Sequence, residues 1–122
     1  MTESTWDERA QLGEVLARDL TGAMIDERVI ALLLDAADTG VTSRTAFALL
    51  ARQDTIGLRH VLRASAKADS SQVDWFYDEY RSAANRSDGE GFLRPALHQI
   101  AAGDNVAEAA EAVEVLTWLG WG

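Results

Sequence analysis

Apolar residues recur at intervals of three and four along nearly the whole 122-residue chain, and no useful stretch alternates apolar with polar residues as a half-buried strand does. That periodicity commits the backbone to helices, so the fold class expected is all-α, with six to seven helices joined as antiparallel hairpins in a repeat stack or a compact bundle. The single proline, Pro95, leaves few positions at which a helix is forbidden.

Caps and glycines place the helix ends. A first helix is expected from Thr5, whose hydroxyl and Glu8 form a capping box, past Leu12, Val15 and Leu16 to Gly22. Gly13 inside it marks a weak point or a close helix approach. A second helix, Met24 to Ala37, carries Ile25, Val29, Leu32 and Leu33 inward and stops at the Asp38-Thr39-Gly40 turn. The third is expected to be capped by Thr42 or Ser43, with Ala46, Phe47, Leu49 and Leu50 inward, and the fourth by Asp54, with Leu58, Val61 and Leu62 inward. Asp69 with Gln72, or Ser71 with Asp74, opens a fifth helix whose core face is Val73, Phe76, Tyr77 and Tyr80. A loop from Asn85 to Gly91 follows. Pro95 is expected in the first turn of a sixth helix that ends at Gly103. Asn105 with Glu108 caps a seventh, Val106 to Leu119, with Val106, Ala109, Ala110, Val113 and Leu116 inward. Gly120 in a left-handed conformation would then fold Trp121 back on Leu116.

A chain of this length with 48% hydrophobic residues suffices for one core, so one domain spanning residues 1–122 is expected. The absence of cysteine excludes disulfides, cysteine-ligated zinc and thiol catalysis. A net charge of −9 disfavours binding to the phosphates of free nucleic acid. The longest apolar run, Val29 to Leu34, is far short of the ~20 residues that span a bilayer, and the acidic start MTESTWDERA lacks the features of a secretory signal. A cytoplasmic location without membrane insertion is expected.

Sliding the sequence by 29 superposes Val29, Leu32, Leu33 and Phe47 on Leu58, Val61, Leu62 and Phe76. The unit RVIALLLDAADTGVTSRTAFALLARQD, residues 28–54, has an apolar first helix, a turn containing Asp38, a turn valine at Val41 and the Ala48-Leu49 pair in its second helix. It resembles a HEAT-type, armadillo-like helical hairpin repeat, departing from that pattern at Thr42, where the family usually has arginine. The resemblance implies stacked hairpins and a surface for a protein partner, and it implies no reaction.

Charge is unevenly spread. Residues 28–68 are net basic, while the segments on either side are acidic. Arg59, Arg63 and Lys67, spaced by four, line one face of the fourth helix and could take an anion, or simply be paired or solvated. Asp104, Glu108 and Glu111 make an acidic stripe on the last helix, continued by Glu114; it is either a solvated face or a surface that steers a basic partner. Trp75 falls at the edge of the fifth helix, as a boundary core residue or an interface anchor. Neither His60 nor His98 has a carboxylate three or four residues away, and the Asp74/Asp78 pair has Arg81 to neutralise it. No nucleotide, metal or hydrolase motif occurs, so no catalytic residue, metal or cofactor is expected.

These readings converge on a non-enzymatic acidic domain that binds a protein, of the immunity or antitoxin kind, neutralising a basic partner through Glu108, Glu111 and Glu114, with Trp75 as a possible anchor. The alternative is a scaffold or regulatory subunit that takes an acidic or phosphorylated segment on Arg59, Arg63 and Lys67. The third is a small-molecule or metal-dependent enzyme using Asp74, Asp78 or the histidines.

Overall fold

The computed structural model describes residues 6–22, 24–35, 39–86 and 88–121. These form seven helices and no strand: α1 (Trp6–Asp19), α2 (Glu27–Leu33), α3 (Thr39–Ala51), α4 (Thr55–Lys67), α5 (Val73–Asn85), α6 (Gly89–Ala101) and α7 (Val106–Leu119). None is long and apolar enough to cross a membrane.

Several ends follow from local hydrogen bonding alone. The Asp54 carboxylate accepts from Gly57 N at 2.8 Å to start α4, and Asn105 Oδ1 accepts from Glu108 N at 3.0 Å to start α7. Before α5, Asp69 Oδ1 accepts from Gln72 N while Gln72 Oε1 accepts from Asp69 N, so this reciprocal box holds the preceding turn, and α5 itself begins later than expected, at Val73, behind Gln72 with no side-chain cap. At the end of α7, Gly120 adopts φ +82°, a conformation that costs glycine little, and Trp121 N donates to Leu116 O at 2.8 Å. Trp121 packs against the core as that motif requires.

Two rows result. α1, α3 and α5 lie side by side, α2, α4 and α7 form a second row against them, and α6 packs on α5 and α7. This all-helical arrangement is consistent with a helical repeat-like domain. Between the rows lie Val29, Leu33, Leu49, Leu58, Val61, Leu62, Phe76, Tyr80, Leu93, Leu97 and Val115, all essentially inaccessible to water. Burial of side chains of this size contributes about 1.5–3 kcal/mol each and offsets the chain entropy that folding removes.

The structure corrects the sequence reading in several places. α2 starts after Asp26, whose side chain accepts from Arg28 N, and ends at Leu33, shorter than expected; residues 36–38 lie outside the described set, as does Thr5. α3 begins at Thr39, so Thr42 and Ser43 sit inside the helix and do not cap it. The anticipated loop of residues 85–91 contracts to three positions between α5 and α6. Gly89 permits this, because a Cβ there would collide with Ala83 O. Pro95 consequently lies in the middle of α6, on an exposed position, where it gives up one backbone bond.

α7 is rotated from the expected orientation, and α1 turns inward a face other than its largest apolar residues. α1 buries Ala10, Gly13, Ala17 and, just beyond its end, Leu20, leaving Leu12 and Val15 about half exposed. Gly13 explains the choice: its backbone sits against Thr45 of α3, where any Cβ would strike Thr45 Oγ1. α7 buries Glu108, Glu111, Ala112, Val115 and Leu116, while Val106 is 81% exposed and Val113 half exposed. Phe47, expected inward on α3, is likewise about half exposed.

Candidate functional site

The rotation of α7 rearranges the charged residues singled out in the sequence. The α4 cap sets Arg59 and Arg63 one turn apart on the face toward α7, and the Asn105 cap brings Glu108 into register with both. Arg59 Nε donates to Glu108 Oε1 at 2.8 Å and Arg59 Nη2 to Oε2 at 3.1 Å, while Arg63 Nε donates to Oε2 at 2.8 Å. Glu108 is only 3% exposed. Burial pushes its carboxyl up, but the hydrogen bonds and charges of Arg59 and Arg63 outweigh that and hold it below the usual range; the bond to Glu108 in turn raises Arg59. The first turn of a helix also favours a carboxylate. Two members of the basic stripe and one of the acidic stripe are thus spent on each other, as an internal clamp between helices. Lys67 remains exposed, one turn beyond Arg63.

Glu111, one turn further along α7, is 9% exposed and has different company. Ser65 Oγ donates to Glu111 Oε2 at 2.7 Å and lies 2.9 Å from the Tyr80 hydroxyl. With the one serine hydrogen directed at Glu111, the phenol donates to Ser65 Oγ, giving a buried chain from Tyr80 through Ser65 to Glu111. Burial raises the Glu111 carboxyl, the Ser65 bond opposes this, and nearby Glu114 adds to the rise. Burial also lifts the Tyr80 phenol well above its usual value. An acidic stripe exposed on Glu108 and Glu111 therefore does not exist; both turn inward.

Glu114 alone of the three is exposed, and it borders a surface built jointly by α5 and α7. Tyr77 and Trp118 meet with ring centroids 5.0 Å apart at 51°, and the Arg81 guanidinium lies 4.5 Å over Trp118. Tyr77, raised to about 12 by burial and by the charges of Glu111 and Glu114, keeps its phenolic proton at neutral pH. Asp74 and Asp78 are exposed on the same side of α5 as Arg81. Asp74, Asp78 and Glu114 make no ion pair among the described residues. Trp75, two residues before Tyr77, points some 200° away around the helix and joins a different edge, beside Glu79, whose carboxylate accepts from Ser43 Oγ at 2.6 Å.

The histidines separate cleanly. His60 is buried, with Nδ1–H donating to Ile56 O at 2.7 Å and Nε2 accepting from Asp26 N at 2.9 Å, so both ring nitrogens are engaged in tying α4 to the start of α2. Its burial was not expected from the sequence. His98 is exposed on α6. Among the described residues no group of three or more histidine, aspartate or glutamate side chains could hold a metal ion.

The chain matches no protein-family model, and it has no significant match among curated proteins or solved structures. Sequence reasoning missed one residue that the structure makes prominent, Arg86, which follows α5 and closes a cavity between α3, α5 and α6. Its position in the expected NRSDGEG loop gave no signal, because the cavity exists only after α6 has moved up against α5.

Proposed function

We propose that this is a non-enzymatic, cytoplasmic, HEAT-like binding domain that neutralises a basic protein partner, in the manner of an immunity or antitoxin protein, through the exposed edge of α5 and α7. The observation that carries this reading is the acidic and aromatic character of that edge: Asp74, Asp78 and Glu114, without ion-pair partners among the described residues, surround the Tyr77–Trp118 pair. Tyrosine and tryptophan anchor interfaces by burying much area at small entropic cost, and surrounding carboxylates steer lysine- and arginine-rich surfaces toward them. Elsewhere Arg9, Arg28, Arg44, Arg52, Arg59, Arg63 and Arg94 are already committed to Asp35, Asp26, Glu14, Asp54, Glu108 and Glu90, so the excess negative charge is left to a few surfaces of this kind. The surface replaces Glu108 and Glu111 with Asp74 and Asp78 as the acidic contributors beside Glu114.

The test begins with salt-eluted capture of a basic protein from lysate, followed by titration with the purified partner. Reversing Asp74, Asp78 and Glu114 together to lysine is expected to weaken the complex at least tenfold and to flatten its salt dependence, while circular dichroism stays unchanged. An unaltered affinity would remove this edge from the interface.

A further inference from the structure

The cavity closed by Arg86 has a volume of about 370 Å³ and lies on the opposite side of α5 from the Tyr77–Trp118 edge. Its walls are mostly apolar, formed by Phe47, Leu50 and Ala51 of α3, Ala83 of α5, and Phe92 and Leu93 of α6, with Gln53 as the uncharged polar side chain on the wall. Such a size falls in the range of about 300–1,000 Å³ typical of small-molecule sites. The charged group on the wall is the Arg86 guanidinium, stacked 4.2 Å from the centre of the Phe47 ring. That contact satisfies one face of the cation. Hydrogen bonds form in the guanidinium plane, at its edge, and both Nη1 and Nη2 are buried without any acceptor among the described residues.

Two parallel N–H donors on a permanently charged group, next to an apolar chamber, call for one kind of complement: a planar anion with two oxygens on one carbon, attached to an apolar body. A bare inorganic anion would leave the chamber unfilled, and a neutral apolar molecule would leave the nitrogens as they are. We infer that this cavity is a binding site for a carboxylate carrying an apolar group, its carboxylate bidentate on Arg86 Nη1 and Nη2 and its hydrocarbon against Leu50, Ala83, Phe92 and Leu93. Neither nitrogen is accessible to water, from outside or from the chamber, so a carboxylate reaches them only once the Phe47 ring or the Arg86 side chain shifts. Phe47 is half exposed and contributes little to the core, which makes the movement inexpensive. The site is independent of the α5–α7 edge and stands whether or not that edge binds a protein.

The experiment titrates the full chain with octanoate and with 3-phenylpropanoate, each against its neutral amide, following thermal unfolding and the two-dimensional NMR spectrum. A peptide ending in leucine, as free acid and as amide, runs alongside and separates the end of a polypeptide from a free small acid as the source of the carboxylate. The acids are expected to raise the unfolding temperature and shift the amides of Ala51, Arg86 and Phe92, with the neutral amides at least tenfold weaker. Arg86→Met is expected to abolish the difference between acid and amide. Should that variant not fold, the Arg86 side-chain nitrogen resonances of the native chain are to shift and slow their exchange when the acid is added. Equal binding of acid and amide, no binding of either up to millimolar concentration, or unperturbed Arg86 resonances in the presence of a bound acid would overturn the assignment.

Discussion

Glu108 and Glu111 lie one turn apart on the same helix and face the same neighbour, α4, yet they are held by opposite means. Glu108 meets two guanidinium groups through three hydrogen bonds. Glu111 meets a serine hydroxyl, with a tyrosine behind it and Glu114 nearby. Burial disfavours charge at both, and the outcome differs because only the first is repaid by opposite charge at close range. Burial alone thus says little about whether an acid stabilises a fold; what stands opposite it decides.

Removing the stronger of the two should have the largest effect. Glu108→Ala leaves Arg59 and Arg63 without a counter-charge across the α4–α7 contact, and the loss expected is about 2–4 kcal/mol, below the full cost of breaking a deeply buried pair because both arginines retain some access to water. Urea unfolding measures it. A loss within experimental error would show that the arginines are hydrated well enough to dispense with the clamp, and the contrast with Glu111 would disappear.

Ser65→Ala comes next. It takes away the hydroxyl that donates to Glu111 and leaves the Tyr80 phenol without its acceptor, at an expected cost of about 1–2 kcal/mol. NMR titration of the Glu111 carboxyl should move further upward in this variant, since the one bond that opposed the rise is gone.

The smallest effect should have the opposite sign. Glu111→Gln keeps an oxygen for Ser65 but discards the buried charge, so it is expected to be neutral or to stabilise by up to about 1 kcal/mol at pH 7. The pH dependence sharpens the contrast. Because the Glu111 carboxyl is raised in the folded state, the native protein binds that proton more tightly, and native stability falls as pH rises from about 4.5 through the raised value. Glu111→Gln should lack this fall. Glu108 is lowered, so its contribution is present above pH 4.5 and is lost as pH drops through the lowered value; Glu108→Ala should lack that loss. Unfolding temperature measured from pH 3 to 8 on the three proteins checks both signs together.

The same pair shows where sequence reading succeeds and where it stops. Asn105 with Glu108 was legible as a cap, and the backbone of Glu108 does donate to Asn105. The sequence alone puts the side chain of Glu108 on a solvent-facing stripe, because glutamate in an exposed first turn is the ordinary arrangement. In VAEAAEAVEVLTWL, alanines surround the helix on every side, so two faces compete closely: one through Val106, Ala109 and Val113, the other through Ala112, Val115 and Leu116. Hydrophobicity ranks the first nearly equal to the second. Arg59 and Arg63, 49 and 45 residues away, tip the choice by offering Glu108 a partner that a solvent-facing glutamate would not need. α1 repeats the lesson with steric contact in place of charge, since Gly13 against Thr45 outweighs the larger apolar area of Leu12 and Val15.

The sequence by itself determined that the chain is all-helical, where α4 and α7 begin, and how α7 ends at Gly120 and Trp121. Those features depend on hydrogen bonds and backbone preferences acting over four or five residues, which a linear reading contains in full. Only the tertiary structure decided which face of α1 and α7 turns inward, that the acidic and basic stripes annul each other at Glu108, that His60 is a buried tie, and that Arg86 closes a cavity. Each of those is an energy between segments tens of residues apart, fixed by the shape and charge of a surface that forms only when the helices have met.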